Sequence, residues 1–462
     1  MKKLKKVFLI TILFYFSNIS FSQIKIPSGY AEFSIKTGIG VHSPFWMVSN
    51  KFGTESIKNN SIAIRSAIVT DLDKNKHFDY SYGLDLLGWY DKNGKAFLHQ
   101  AYIQGKIYFL RFLAGKKEEI FGEQDSTLSS GGLLWSGNAP PMPKVAIYVD
   151  YTPIPFTRGY FEFKGGLSHG WFGSNQYVKD YYLHHKFVYL RFGGDLPVHL
   201  HFGFHHFAQW GGTSLNPNVG KLPGDLKAFW KIFWARSADS SEHAPGGEIL
   251  NRLGNHIGYR DAGADLELNN YSIGLYWQTM FEDVFGSHWA NIKDGLWGIS
   301  VKTKNKRRLV NGFVYEFIHT TDQSVKRNQK DSIIRGNDDY FYHYIYKPGW
   351  VYNEYVIGTP LISSPILNNN SLIYNNLVIA HHIGLSGFLS SMNYKILITY
   401  VRNYGRNSDP FKNVKKNLST LIRLKMPVNL LGESKLGLEL ANDFGNMYHN
   451  NIGILITFQK DF

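Results

Sequence analysis

Asn451-Ile452-Gly453-Ile454-Leu455-Ile456-Thr457-Phe458-Gln459-Lys460-Asp461-Phe462 closes the chain. Ile452, Ile454, Ile456, Phe458 and Phe462 fall on one face of an extended strand, interrupted only by Lys460. Gly453, Thr457, Gln459 and Asp461 share the other face with Leu455. A strand whose one side meets lipid and whose other side meets a wet lumen needs this alternation, because hydrocarbon offers no hydrogen bonds. The stretch therefore reads as the last strand of a transmembrane β-barrel. A terminal aromatic such as Phe462 resembles the signal read by the outer-membrane barrel assembly machinery.

The same period of two recurs upstream. Phe202, Phe204, Ala208 and Trp210 oppose His199, His201, His205 and Gln209, while Tyr394, Ile396, Ile398 and Tyr400 oppose Lys395 and Thr399. Phe313, Tyr315 and Phe317 oppose Gly312 and Glu316. Carboxylates facing lipid are costly, so Asp261, Asp265 and Glu267, like Asp79 and Asp85, set the inward face of their strands.

Strands are expected near 30–41, 61–72, 77–90, 96–105, 108–120, 144–151, 157–167, 182–192, 198–210, 257–268, 270–280, 294–303, 309–319, 376–387, 391–401, 417–427, 435–443 and 450–462. That is about eighteen, an even number as bacterial single-chain barrels require. With the C-terminus in the periplasm, short turns such as Asp73 to Lys76 and Gly193 to Pro197 fall on the periplasmic side. The long connections 122–143, 211–256, 320–375 and 402–416 all fall outside. Within the second of these, Asp225 precedes Leu226, Phe229, Trp230, Phe233 and Trp234 at helical spacing. A short amphipathic helix is expected there, packed on the barrel rim or folded into the mouth, with a membrane or partner helix as the alternative.

Composition narrows the function classes. Lys2, Lys3, Lys5 and Lys6 precede the apolar run Val7 to Phe16, and Ser20-Phe21-Ser22 offers a cleavage site before Gln23. Residues 1–22 thus read as a signal peptide and 23–462 as the outer-membrane barrel. With no cysteine there is neither disulfide, thiolate metal site nor lipoprotein anchor. The net charge of +14 is scattered, without a basic helix or zinc-finger spacing, so nucleic acid is not expected as a partner. Anionic glycans, outer-membrane lipid and lipopolysaccharide suit it better.

Chemistry-bearing clusters are weak. His184-His185, His205-His206 and His381-His382 place neighbours on opposite strand faces, and His199 and His201 are lumen lining, so no metal or other cofactor is expected. No nucleophile elbow or HExxH pattern occurs, and Glu316, Asp261 and Asp265 read as solvated wall residues, so no catalytic residue is assigned. Loop 336–360 is rich in aromatic, Asn and Asp side chains, a mixture suited to sugars. Asp338, Asp339, Tyr340, Trp350, Tyr352 and Asn353 are its candidate carbohydrate-binding residues, with Arg335, Lys326, Arg327 and Lys330 placed to pair with acidic sugars.

Several stretches together resemble the Wzi-type capsule assembly proteins, in the branch found in Bacteroidetes. They are Pro44-Phe45-Trp46 with Asn50 and Gly53, Phe204 to Gly212, Asn255-His256-Ile257-Gly258, Phe281-Glu282-Asp283, Asp294-Gly295-Leu296-Trp297-Gly298, Thr320-Thr321-Asp322-Gln323-Ser324 and the GNDDYF…GW…IGTP loop from Gly336 to Pro360. The resemblance implies an eighteen-stranded outer-membrane barrel with a lectin-like, non-enzymatic role, attaching capsular polysaccharide to the cell surface. A porin-type diffusion or substrate channel is the alternative. Enterobacterial members carry a periplasmic helical bundle that plugs the barrel. The segment between the leader and Ser61 is too short for one, which leaves the helix at 224–236 to plug from the other side.

Overall fold

The computed structural model describes residues 25–241, 244–282, 291–323, 326–327, 333–334, 338–367 and 372–462, with backbone alone at 326–327 and 333–334. The leader 1–22, Lys330 and Arg335 lie outside the described residues.

Eighteen strands form one sheet. They are β1 (Ser28–Ile39), β2 (Ser61–Val69), β3 (Phe78–Tyr90), β4 (Gly94–Ile107), β5 (Leu110–Lys116), β6 (Pro143–Pro153), β7 (Phe161–Trp171), β8 (Tyr182–Phe192) and β9 (Val198–Trp210), then β10 (Asn255–Glu267), β11 (Tyr271–Phe281), β12 (Gly295–Thr303), β13 (Gly312–His319), β14 (Val378–Leu389), β15 (Met392–Gly405), β16 (Pro410–Asn429), β17 (Glu433–Gly445) and β18 (Asn451–Asp461). Each pairs antiparallel with the next, and β18 returns to β1 with Tyr30 opposite Asp461 and Ile39 opposite Ile452. Closure removes both sheet edges, the condition for strands in hydrocarbon. The expected outward residues of β18, β9 and β15 are outward, Phe202 and Ile452 among the exposed ones, while Asp261 and Glu316 are buried inside.

Three departures have local causes. On β3 and β4, Asp85 faces Gln100 and Leu86 faces Leu98, so His99 is an extra residue on its strand. This bulge reverses the parity between Leu98 and Ile103, both outward, and accounts for the poor alternation there. The strand expected at 108–120 stops at Lys116, beyond which the chain turns into the lumen. Residues 402–416 are not a long loop, because β15 and β16 run past the membrane and join through 406–409 alone.

Helix α1 (Phe45–Val48) lies in the β1–β2 connection with all four residues buried. Helices α2 (Leu226–Phe233) and α3 (Gly246–Leu250) lie in the β9–β10 connection. The Asp225 carboxylate accepts the Ala228 N–H at 2.8 Å and caps α2, as its sequence position predicts.

Candidate functional site: the extracellular mouth

Three extracellular connections, 40–60, 117–142 and 320–377, converge inside the mouth on one core. Phe45, Trp46, Leu128, Leu134, Trp135, Tyr340 and Trp350 pack there against wall residues such as Phe207 and Tyr259. Polar contacts from the inward faces of the strands hold each loop. Trp46 donates to Thr399 on β15 at 3.0 Å, and the Asp443 carboxylate of β17 accepts the Phe45 N–H at 2.9 Å. Connection 117–142 rests on Glu316 of β13, which is fully buried. Its carboxylate accepts from the Ser129 hydroxyl at 2.5 Å, the Ser130 N–H at 2.7 Å, the Ser130 hydroxyl at 2.5 Å and the Tyr276 hydroxyl at 2.8 Å. Where Leu128 meets β14 the wall residue is Gly384, whose added Cβ would sit 2.5 Å from the Leu128 carbonyl oxygen, so no larger side chain fits.

Connection 320–377 is organised by Asp294, at the start of β12. Its carboxylate accepts the N–H groups of Asp322 at 2.9 Å and Gln323 at 2.6 Å, the Tyr340 hydroxyl at 2.8 Å and a contact with His319 at 2.8 Å. Trp350 then donates to the Leu134 carbonyl at 2.7 Å and meets Phe207 edge-on, while Gln209 donates to the Gly349 carbonyl at 3.0 Å. The Ser136 hydroxyl donates to the Gly358 carbonyl at 2.7 Å. The short stretches that carry the sequence resemblance thus meet one another inside the mouth: Asp294 holds Asp322 and Gln323, Gln209 holds Gly349, and Trp46 holds the β15 wall.

This placement corrects the expected sugar site. Trp350 and Tyr340 are fully buried and Tyr352 and Asp338 nearly so, which leaves no free ring face for a pyranose. Aromatic side chains in a loop satisfy the hydrophobic effect by packing on the loop's own core before any ligand arrives. Asn353 is exposed at the tip of the hairpin Val351–Val356, beside Glu354. Asp339 is half-buried and pairs with Arg406, which donates from Nε at 3.2 Å to both carboxylate oxygens and again from Nη2. The Arg406 guanidinium lies 3.9 Å from the Tyr342 ring centroid, and Asn407 donates to Gln323 at 3.0 Å. The sequence does not mark Tyr342 and Arg406 as partners of Asp339, or Asn407 as a partner of Gln323 and of the Asp338 carbonyl. Arg406 and Asn407 come from the β15–β16 turn, far from Asp339 in sequence, and only strand closure brings them together.

Other clusters do less. His185 Nε2 and His205 Nδ1 are 3.0 Å apart in the lumen, His205 reaches Tyr189 at 2.8 Å, and Tyr189 donates to Asp261 at 2.9 Å, a chain of wall contacts. Among the described residues, Asp85, His99 and Glu118 bring three potential metal-ligand atoms together. Arg65 donates to Asp85 at 2.5 Å and to Glu118 at 2.9 Å, so a cation already occupies that charge. Beneath the loops a cavity of about 780 Å³ opens at the periplasmic end, lined by Arg307, Lys425, Lys435 and Gln459.

Of the two places expected for the helix, the barrel rim and the mouth, it does not enter the mouth. Helix α2 packs outside the barrel with Ala228 and Ile232 against Ala208, Trp210 and Leu253. Under the same connection, burial pushes the Glu248 carboxyl of α3 from its usual 4.5 up to about 7. One of its oxygens accepts the Gly254 N–H at 3.2 Å and the other has no partner among the described residues. The folded pKa lies above the unfolded one, so the stability this group allows is intact below about 4.5 and lost as pH rises through about 7. Glu248→Gln is therefore expected to strengthen docking of 226–250 at pH 8 by roughly 2–3 kcal/mol and to change it little at pH 4.5. Amide exchange of that segment at the two pH values checks this, and an equal gain at both would contradict it.

An eighteen-stranded closed barrel with an outward apolar band and connections packed on one core inside its mouth is a barrel of the outer-membrane kind. Residues 40–363 match the family described as capsule assembly protein Wzi, well over half of the chain, and the protein belongs to that family. It resides in the outer membrane. No curated protein sequence matches it significantly. Among solved structures it is similar to Wzi of Escherichia coli, described as a carbohydrate-binding β-barrel involved in group 1 capsule assembly, at 14 % identity and a TM-score of 0.59 over 94 % of this chain and 84 % of that one. It is also similar to OccK3 of Pseudomonas aeruginosa, at 8 % identity and a TM-score of 0.46 over 97 % and 98 % of the two chains. OprD of the same organism gives 8 % and 0.45 over 94 % of each.

Proposed function

We propose that this protein is a non-enzymatic, lectin-like barrel that holds capsular polysaccharide at the cell surface. One observation supports the reading: the described parts of connections 40–60, 117–142 and 320–377 pack on one core inside the mouth, so their outer residues form a surface over it. That surface offers a charged and aromatic patch of Asp339, Tyr342, Arg406 and Asn407, with Asn353 and Glu354 nearby in sequence on an exposed tip. Arg and Asn side chains suit the carboxylates and hydroxyls of acidic sugars, and a half-exposed Tyr ring suits their C–H face. Insertion through recognition of Phe462 by the barrel assembly machinery belongs to the same reading.

Deleting the gene is expected to release polymer into the medium while its synthesis continues. Tyr342→Ala combined with Asn407→Ala is expected to weaken glycan binding by the refolded barrel about tenfold or more, the loss typical of removing well-placed contact side chains. Binding to a glycan array, with barrel abundance measured alongside, reads both effects. Unchanged binding would move the site elsewhere on the crown, and unchanged cell-associated polymer after deletion would remove the function itself. Little steady current through the parent protein in planar bilayers separates this role from a porin.

A further inference from the structure

The outer wall of β8, β9 and β10 breaks the barrel's own rule. Even-numbered residues of these strands face outward, and Val188, Leu190, Phe192, Leu200, Phe202 and Phe204 are exposed accordingly. The same outward rows then continue toward the extracellular end as His184, Lys186, His206 and His256. Cationic or imidazole groups at such positions are costly against lipid, about 2–4 kcal/mol for a lysine near the midplane. All three histidines are nevertheless buried.

Helix α2 covers them. The rings of Phe229 and Phe233 meet His184 edge-on at 5.7 and 5.6 Å, and Lys186 donates to the Phe233 carbonyl with its ammonium 4.0 Å from the Phe233 ring centroid. His206 Nε2 and His256 Nδ1 share a hydrogen bond of 2.8 Å under the same connection. The opposite face of the helix carries Leu226, Trp230 and Trp234, spaced by four and thus one stripe, with 72 %, 51 % and 62 % of their surfaces exposed.

Geometry says what meets that stripe. On β18 the outward apolar row runs from Ile452 to Phe462, broken only at Lys460. On β9 the exposed row ends at Phe204, and Val198 to Phe204 rises only about 15 Å for a strand tilted by roughly 40°. The apolar band of such barrels is about 25 Å tall, and the missing 10 Å is the diameter of one helix. Tryptophan favours the boundary between acyl chains and headgroups, and large apolar groups so exposed would be a poor surface in water.

We propose that α2 is an interfacial helix that replaces the upper wall of β8–β10 as the lipid-facing surface, seating Leu226, Trp230 and Trp234 against the acyl chains of outer-leaflet lipid. The helix shields a polar strip that the wall itself cannot present to hydrocarbon, and its outer stripe continues the band of Phe202 and Phe204. This role is independent of glycan binding.

The absence of cysteine makes the test direct. A nitroxide is attached to Trp230→Cys or, as a second site, Leu226→Cys of the full barrel in phosphatidylcholine vesicles, with Phe202→Cys as the lipid reference and Asn353→Cys as the aqueous one. Either helix label is expected to collide with oxygen in preference to a water-soluble nickel chelate, with a ratio close to Phe202→Cys and several-fold above Asn353→Cys. Ratios like that of Asn353→Cys at both helix positions would overturn the proposal. So would disulfide-linked dimers formed by Trp230→Cys in dilute vesicles, since the stripe would then belong to a second copy of the chain.

Discussion

Glu316→Ala is expected to open the barrel, with steady current in planar bilayers where the parent protein passes little. Four donors from Ser129, Ser130 and Tyr276 converge on that one buried carboxylate. Alanine leaves all four without their acceptor in a packed interior, a loss of roughly 3–5 kcal/mol by analogy with breaking one side of a buried charged contact. The strand itself survives, because Val314 and Ile318 and the β12–β13–β14 ladders are untouched. The cost therefore falls on docking of connection 117–142. Glu316→Gln keeps an acceptor of the same shape and should lie between the two. Protease cleavage within 124–136 should rise in parallel with current. If neither changes, the hydrophobic core alone holds the loop.

The second large effect is expected at Trp350. Its ring is fully buried, and its N–H donates to Leu134 in the neighbouring loop. Removing a buried tryptophan costs about 3–5 kcal/mol, here drawn from the contact between connections 117–142 and 320–377. Trp350→Ala should raise conductance and proteolysis of both segments while leaving assembled barrel in the membrane. A ring that stacked on sugar would behave otherwise, losing glycan binding with the mouth still closed. The two readouts distinguish packing from recognition at the same residue.

The strands were legible because lipid imposes one chemical rule along the whole wall. Ile452, Ile454 and Ile456 announce their face without help from neighbours, and Asp261 or Asp85 reveals the opposite face. The rule ends where lipid ends. Above the membrane, Arg402, Lys412 and Lys416 no longer mark an outward row, although β15 and β16 go on pairing through their backbones. That is why 402–416 reads as a loop. A bulged residue such as His99 is equally silent, since a single insertion leaves no compositional trace.

The mouth shows the same limit more sharply. An aromatic, Asn and Asp-rich loop has one composition whether its rings await a sugar or pack on each other. The period of α2 and its Asp225 cap could be read directly, yet not its place outside the barrel. Parity in the sequence already puts His206 opposite to His205, but only the structure shows that His184, Lys186, His206 and His256 lie together on the outer wall under a helix. By itself the sequence determined the barrel and, on most strands, which face meets lipid, because alternation against lipid is local and repeats every two residues. Which loop enters the mouth, which helix covers the wall and which side chains remain on the surface are settled by contacts between segments distant in sequence, and only the tertiary structure decides them.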